Sequence, residues 1–327
     1  MKAIIPVAGM GTRLRPHTHT QPKALMHVAG KPILAHILDE LVAVGVDEVV
    51  LVVGYLGEMI ESYAKERYGR LRLHFVTQAE PMGNGHAVFV AREHLDGTPV
   101  LILFGDTIIK GDVAGLVRSP RALAGVKEVE DPRRFGVVEL GPDGQVRRLL
   151  EKPSHPPTNL ALIGVYFIPE SRALRTALER LVQGHRRARG EFWLTDGLQL
   201  MLDAGVSMGV FPIEHWYDCG TVDALLAANR ALLEATPPPL AQTTRAILIP
   251  PSFVSPTAII EDSVLGPYVS IAEGARVVGS MLKDSIVNAN ASVEGVLLEH
   301  SIVGENAIVR GRPGRINVGD SSAIELS

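Results

Sequence analysis

The sequence predicts an α/β protein: a three-layer α/β/α domain with a mostly parallel sheet, followed by a short parallel β-helix. Three observations carry that expectation. From Lys2 to Glu234, short apolar or β-branched runs alternate with segments of helical periodicity, the pattern of βαβ units. Thr236-Pro237-Pro238-Pro239 then breaks the pattern, because a proline run cannot continue a helix and makes a stiff extended linker. Beyond it the chain repeats itself. Ser263-Val264-Leu265…Val269-Ser270-Ile271 matches Ser285-Ile286-Val287…Ala291-Ser292-Val293 and Ser301-Ile302-Val303…Ala307-Ile308-Val309. Aliphatic residues six apart with small residues between them read as stacked coils of a parallel β-helix, a small β-sandwich being the alternative. The divisions are a domain at 1–236, a linker at 237–244 and a repeat domain at 245–327.

Taken in order, Ala3–Ala8 is an apolar run broken by Pro6 and suits a buried parallel strand. Helical periodicity starts at Pro32, with Leu34, Ile37, Leu38, Leu41 and Val42 on one stripe and Gly45 as the stop. Glu48–Val53 reads as a strand, Gly57–Tyr68 as an amphipathic helix ended by Gly69, and Leu71–Thr77 as a strand. Asn84–Leu95 reads as a helix and Pro99–Phe104 as a strand. Pro142-Asp143-Gly144 is a turn signal between Arg134–Leu140 and Val146–Leu150, so a hairpin interrupts the alternation. Ala161–Ile168 is strand-like, Glu170–Leu181 helical, and the basic run His185–Arg189 an exposed loop. A helix at Thr195–Ala204, a strand at Ser207–Ile213 and a helix at Thr221–Glu234, with Thr221 as N-cap, complete the first domain.

Bulk properties narrow the function. With 46% hydrophobic residues in 327, there is ample material for folded cores, and a net charge of −4 argues against bulk nucleic-acid binding. The one cysteine, Cys219, excludes an intrachain disulfide framework and fits a reducing cytosol. The first residues do not read as a signal peptide, and no run reaches the ~18 apolar residues that a membrane span requires. A cytoplasmic protein without a nucleic-acid or membrane partner is expected.

The chemistry concentrates in Lys2–Lys23. Gly9-Met10-Gly11-Thr12-Arg13 follows the first strand, and two glycines one residue apart let backbone N–H groups approach a phosphate without a Cβ between. A dinucleotide fingerprint would need a small residue at Leu14, and a Walker A loop would need Gly-Lys at Leu14-Arg15; neither is present. What remains is a glycine turn flanked by Arg13, Arg15 and Lys23. Taken alone it is either a phosphate cradle or an ordinary strand-to-helix turn with solvated cations. Asp106 directly follows an apolar strand, and Asp218 lies between a strand and a helix. Two carboxylates at strand ends near phosphates form a normal Mg²⁺ arrangement, with water and phosphate as the remaining ligands. An exposed turn position is the other reading of Asp106. Gln78 ends a further strand; an amide, with both a donor and an acceptor, suits the imide edge of thymine or uracil, while taken alone the residue is better read as a cap or turn position. No HExxH or Cys/His ligand spacing and no Gly-x-Ser-x-Gly elbow occurs.

Gly9-x-Gly11-Thr12-Arg13, then Pro22-Lys23, then Gly30-Lys31-Pro32, resembles the opening of the sugar-1-phosphate nucleotidylyltransferases. Later motifs keep the family's order over roughly residues 2–235. The resemblance implies a Rossmann-like nucleotidyltransferase domain in which Ala8, Gly9, Gly11 and Thr12 hold a nucleoside triphosphate, with Arg13 and Lys23 as catalytic cations. It implies that Gln78 and Gly83 read the base, and that Asp106 and Asp218 hold Mg²⁺. In Asp131-Pro132…Phe135-Gly136-Val137 and Glu151-Lys152-Pro153, it implies that Gly136 and Glu151 contact hexose hydroxyls and Lys152 the sugar phosphate. The C-terminal repeat resembles the left-handed β-helix of hexapeptide-repeat proteins, and a homo-oligomer through it is expected.

Within the family, Glu151-Lys152-Pro153 and the Asp-Pro…Phe-Gly-Val run are similar to the glucose-1-phosphate thymidylyltransferases. Ile5-Pro6-Val7-Ala8-Gly9 and Gly85-His86-Ala87 look more like uridylyltransferases, and Thr107 after Asp106 departs from the asparagine usual in thymidylyltransferases. The expectation is dTTP with glucose 1-phosphate, with UTP as the alternative. Two rivals are a catalytically silent nucleotide-sugar-sensing subunit and a bifunctional enzyme with an acyltransferase β-helix. The first is opposed by the presence of Arg13, Lys23, Asp106 and Asp218, the second by the shortness of the repeat.

Overall fold

The computed structural model describes residues 1–185, 187, 190–238 and 245–311. Most of the linker at 237–244, part of the basic run at 186–189 and residues 312–327 of the repeat domain therefore lie outside the described residues. The chain forms two compact units, Met1–Ala228 and Asn229–Ser327.

The first unit opens as a parallel α/β fold. Its elements are β1 (Lys2–Pro6), the short pair β2 (His27–Val28) and β3 (Lys31–Pro32), α1 (Ile33–Ala43), β4 (Glu48–Val53), α2 (Gly57–Arg67), β5 (Arg72–Thr77), α3 (Asn84–Val90) and β6 (Val100–Leu103). There follow β7 (Thr107–Lys110), α4 (Val113–Val117), β8 (Ala122–Glu128), β9 (Gly136–Leu140), β10 (Val146–Glu151), β11 (Leu160–Ile168), α5 (Ser171–Gln183), α6 (Leu194–Asp203), β12 (Met208–Pro212), β13 (His215–Asp218) and α7 (Val222–Ala235), which runs on into the second unit from Asn229. The main sheet has nine strands, with β10-β9-β11-β6-β1-β4-β5 along its path and β8 joining β11 to β12. β1 runs parallel to β4 and β6, and β4 to β5, whereas β11 is antiparallel to its neighbours.

Alternation fills both faces. Ile4, Val50, Val52 and Ile102 pack in one core with Val88, Leu174, Leu178 and Leu198 from α3, α5 and α6. The residues of opposite parity, Ala3, Ile5, Val49, Leu51 and Leu101, are equally buried. α2 begins against that face, where Gly57 lies so close to Val53 that a Cβ would meet the Val53 Cβ at 3.0 Å. Caps fix two helices: Glu170 accepts from the N–H groups of Arg172 and Ala173, and Thr221 accepts from Ala224. The helix expected at Asn84–Leu95 stops at Val90, and Arg92–His94 forms a separate 3₁₀ turn.

The second unit is the left-handed parallel β-helix. Three ladders of short parallel strands form its faces, of which Leu248–Leu265–Leu282–Leu298 and Ile260–Val277–Val293–Val309 supply inward rungs. Buried serines stack between coils: Ser263 Oγ accepts from Ser280 N seventeen residues on, and Ser285 Oγ from Ser301 N sixteen residues on. Asn290 and Asn306 take the left-handed backbone at coil corners, which asparagine tolerates better than most residues. The last turns of α7 belong to this unit. Asn229 is fully buried, donates to the Tyr268 carbonyl and accepts from Ser270 Oγ. Among the described residues no helix is long and apolar enough to cross a membrane.

Candidate active site

The glycine turn sits at the carboxyl end of β1, where an open parallel sheet has its ligand crevice. Gly11 adopts φ +60, and its carbonyl accepts a 2.8 Å hydrogen bond from the Thr18 hydroxyl. A Cβ on Gly11 would meet Thr18 Cγ2 at 3.0 Å and Lys23 Cβ at 3.1 Å, so glycine here lets Lys23 close over the turn. At Gly9 a Cβ would meet nothing within 4 Å, which leaves its backbone open to a ligand.

The next strand end is pressed against this turn. Gly105 N donates to the Pro6 carbonyl, and a Cβ on Gly105 would fall 2.3 Å from Val7 Cγ1. That contact carries Asp106 to Lys23, whose Nζ lies 2.5 Å from Asp106 Oδ2. The second carboxylate arrives through the small antiparallel sheet of β7 and β13, which sets Asp218 opposite Thr107. Cys219 N then donates to the Asp106 carbonyl at 3.0 Å, fixing the two aspartates side by side.

Their electrostatics differ. Burial would raise the Asp106 carboxyl, but the Lys23 ammonium and then the Arg13 guanidinium outweigh it and hold it below the usual carboxylate value. Asp218 is pushed up, first by burial and then by the charge of Asp106, and its side chain has no hydrogen-bond partner among the described residues. A carboxylate pair under that tension fits a hard divalent cation, which would take up the excess negative charge.

Two cavities meet at Asp106. The first, about 390 Å³, is lined by Ala8, Gly9, Gly11, Thr12, Lys23, Gln78, Gly83 and Asp106. The second, about 560 Å³, is lined by Arg13, Asp106, Gly136, Glu151, Lys152 and Asp218. Every nucleotide-binding residue expected from sequence is in the first, and every sugar-phosphate residue in the second. Arg13 lines the second, whereas Lys23 lines the first. In the second cavity Glu151 Oε2 accepts from the Thr195 hydroxyl at 2.7 Å, and burial raises its carboxyl despite Thr195 and Lys152. Lys152 Nζ lies 3.9 Å from the Trp193 ring centroid.

The structure adds residues that the sequence did not single out for this role. Asn84, Phe104 and Trp193 line both cavities, and Trp216 lines the second. Asn84 Oδ1 accepts from Leu194 N, tying the start of α3 to the start of α6. Thr18 had no motif to mark it. Trp193 and Thr195 lie at the start of α6, which the sequence marks only as a helix.

The profile of the nucleotidyl transferase family matches residues 2–235. The chain belongs to that family. This nucleotidyltransferase is 33% identical over 320 residues to a glucose-1-phosphate thymidylyltransferase of Streptomyces antibioticus, covering 90% of this chain and 88% of the relative. It is 36% identical over 245 residues to the UTP–glucose-1-phosphate uridylyltransferase AglF of Haloferax volcanii, covering 72% of this chain and 98% of the relative. Among solved structures, a UDP-glucose pyrophosphorylase complexed with UDP-glucose shares the fold, with a TM-score of 0.62 at 23% identity over 72% of this chain and 98% of that one.

Proposed function

We propose that this nucleotidyltransferase joins a nucleoside triphosphate to a hexose 1-phosphate, giving a nucleotide sugar and pyrophosphate, with dTTP and glucose 1-phosphate as the favoured pair. The observation that carries the reading is the junction of two cavities at Asp106, one beside a glycine turn and one beside Glu151 and Lys152. A triphosphate in the first brings its α-phosphorus to the junction, within reach of a sugar phosphate in the second.

A phosphate oxygen of the sugar forms the new P–O bond to the α-phosphorus. The bond from that phosphorus to the bridging oxygen breaks, and pyrophosphate leaves with the electron pair. The nucleophile is already an anion, so no general base is required, and catalysis is positioning and charge stabilisation. Bringing two unit charges of the same sign to about 4 Å costs roughly 4 kcal/mol at an effective dielectric of 20. Lys23 and Arg13 offset this on either side of Asp106, and Lys152 does so at the sugar phosphate. Asp106 and Asp218 would hold Mg²⁺, which when bound adds positive charge beside the phosphates. Gln78 and Gly83 face the base, and Gly136 and Glu151 the hexose hydroxyls.

The extent of the similar proteins supports dTTP over UTP. The thymidylyltransferase relative extends over 90% of the chain, the uridylyltransferase over 72%. A pyrophosphate-release screen of dTTP, UTP, CTP, ATP and GTP against several hexose 1-phosphates tests it. Turnover confined to purine triphosphates, or none with any sugar phosphate, would overturn the reading.

We assign catalysis to residues 1–236 and assembly to the repeat domain. The outer rungs Ile247, Val264, Met281 and Leu297 stack in one ladder, and three of them are 63%, 52% and 73% exposed in chain order of Ile247, Met281 and Leu297. Beside them Lys283 and Glu299 pair along the same face. Such a strip is self-complementary about a two-fold axis, apolar rungs on apolar rungs and lysine facing glutamate, so its occupant is a second copy of this chain.

A further inference from the structure

Gln78 commits both of its amide hydrogens inside the protein. Its Nε2 lies 3.1 Å from the Gly83 carbonyl oxygen and 3.0 Å from Nδ1 of His86. A carbonyl oxygen only accepts, so the contact with Gly83 alone fixes which end of the amide is nitrogen. The second hydrogen then goes to His86 Nδ1, which must be unprotonated, with the imidazole proton on Nε2. What remains of Gln78, in the wall of the first cavity, is Oε1, an acceptor with no partner among the described residues.

Both partners of the amide are held in place. Gly83 has φ +100, and a Cβ there would fall 2.5 Å from the Phe192 carbonyl oxygen. Phe192 N donates to the Met82 carbonyl, and Gly85 N donates back to Phe192. His86 is buried, with its ring stacked on Phe192 at 6.2 Å between centroids and tilted against Phe89 at 6.0 Å.

We propose that His86 is a positioning residue for base selection. By accepting the second amide hydrogen of Gln78, it leaves Gln78 as an acceptor alone. That selects bases with an imide N3–H, thymine and uracil, against cytosine, whose N3 is itself an acceptor. The inference rests on the nucleotide reading of the first cavity and deepens it.

Protonation of His86 would reverse the arrangement. Nδ1 would become a donor facing a donor, and Gln78 could satisfy it only by turning its amide, leaving the Gly83 carbonyl and aiming NH₂ at the base. The groups around the imidazole are Phe89 of α3, Phe192, Glu80 and Arg187, the last two of opposite charge. Burial keeps the ring neutral, with Glu80 raising and Arg187 lowering its affinity for a proton.

The test compares kcat and KM for dTTP, UTP and CTP in the parent, His86→Phe and His86→Asn, between about pH 5 and pH 8. His86→Phe keeps the ring packing but offers no acceptor. Its KM for dTTP and UTP rises about 10-fold, more than kcat falls, and its preference over CTP narrows. Asparagine carries an oxygen near the place of Nδ1, so His86→Asn recovers most of the preference. The parent loses preference only as the pH falls below the ordinary imidazole value, because burial lowers the His86 pKa, and His86→Asn does not. Unchanged base preference in His86→Phe, or no recovery in His86→Asn, would overturn the inference while leaving the overall function intact. Preferred use of CTP by the parent would overturn the acceptor assignment itself. Should His86→Phe fail to fold, ¹⁵N spectra of labelled histidine in the parent decide instead: Nδ1 free of a proton at neutral pH supports the arrangement, and a protonated Nδ1 refutes it.

Discussion

Lys23 and Asp106 stand 83 residues apart in the chain and 2.5 Å apart in the fold, at the point where the two cavities join. Removing the carboxylate leaves a largely buried ammonium without its counter-ion, and the lysine is only 12% exposed. Asp218 is the opposite case, a carboxylate already disfavoured by burial and by Asp106.

Asp106→Asn and Asp218→Asn are each expected to lower turnover by ~10²-fold or more, as for loss of a charge partner in the transition state. Their stabilities should part company. Asp106→Asn loses about 1–3 kcal/mol by stranding Lys23, and Asp218→Asn loses nothing or gains slightly. Steady-state kinetics over a Mg²⁺ series, with urea unfolding of both variants, measures this. Equal destabilisation of the two would refute the electrostatic asymmetry.

The two glycines of the turn separate binding from folding. Gly11→Ala forces a Cβ at φ +60 into Thr18 and Lys23, costing roughly 1–2 kcal/mol and moving Lys23 away from Asp106. Gly9→Ala meets no protein atom, so thermal stability stays at the parent value while KM for the triphosphate rises. A Gly9→Ala enzyme with unaltered KM would mean that the triphosphate lies elsewhere.

His36 makes the fold sensitive to acid. It is buried in α1 beside the Val28 carbonyl oxygen at 2.9 Å, and burial depresses its pKa to about 4 from 6.5. The unfolded chain takes up the proton below 6.5, and the folded one holds off until about 4, so stability falls as the pH drops through that window. The loss approaches about 3 kcal/mol by pH 4. His36→Gln keeps a donor for Val28 but does not titrate. Urea unfolding of both proteins from neutral pH to pH 4 should show a shallower decline for the variant.

Charging the outer ladder should dissociate the assembly without touching chemistry. Met281→Lys with Leu297→Lys places like charges one coil apart on the proposed two-fold face. Light scattering should report a smaller particle, with pyrophosphate release per chain near that of the parent. An unchanged particle size would remove this face as the interface.

Much of this was legible in the chain because the signals are local. Glu48–Val53 reads as a strand from six consecutive residues, and the structure keeps both ends. The glycine turn declares itself through Gly9 and Gly11, and the β-helix through serines and aliphatics at fixed spacing. Thr107–Lys110 and His215–Asp218 were not legible. Each is four residues long, too short for periodicity, and each becomes a strand only by pairing with the other across a long stretch of chain. The direction of Leu160–Ile168 was equally hidden, because a buried apolar run looks the same parallel or antiparallel.

The sequence by itself therefore determined the element types, the coil repeat and the identity of the charged groups, since backbone preference, apolar periodicity and side-chain chemistry belong to each residue and its neighbours. Only the tertiary structure decided that Lys23 faces Asp106 in one cavity while Arg13 faces the other, and that Gln78 offers an oxygen rather than an amide hydrogen. Those outcomes depend on contacts between distant segments, such as Gly105 against Val7 and His86 against Gln78, where close packing leaves room for one arrangement and a hydrogen bond fixes its polarity.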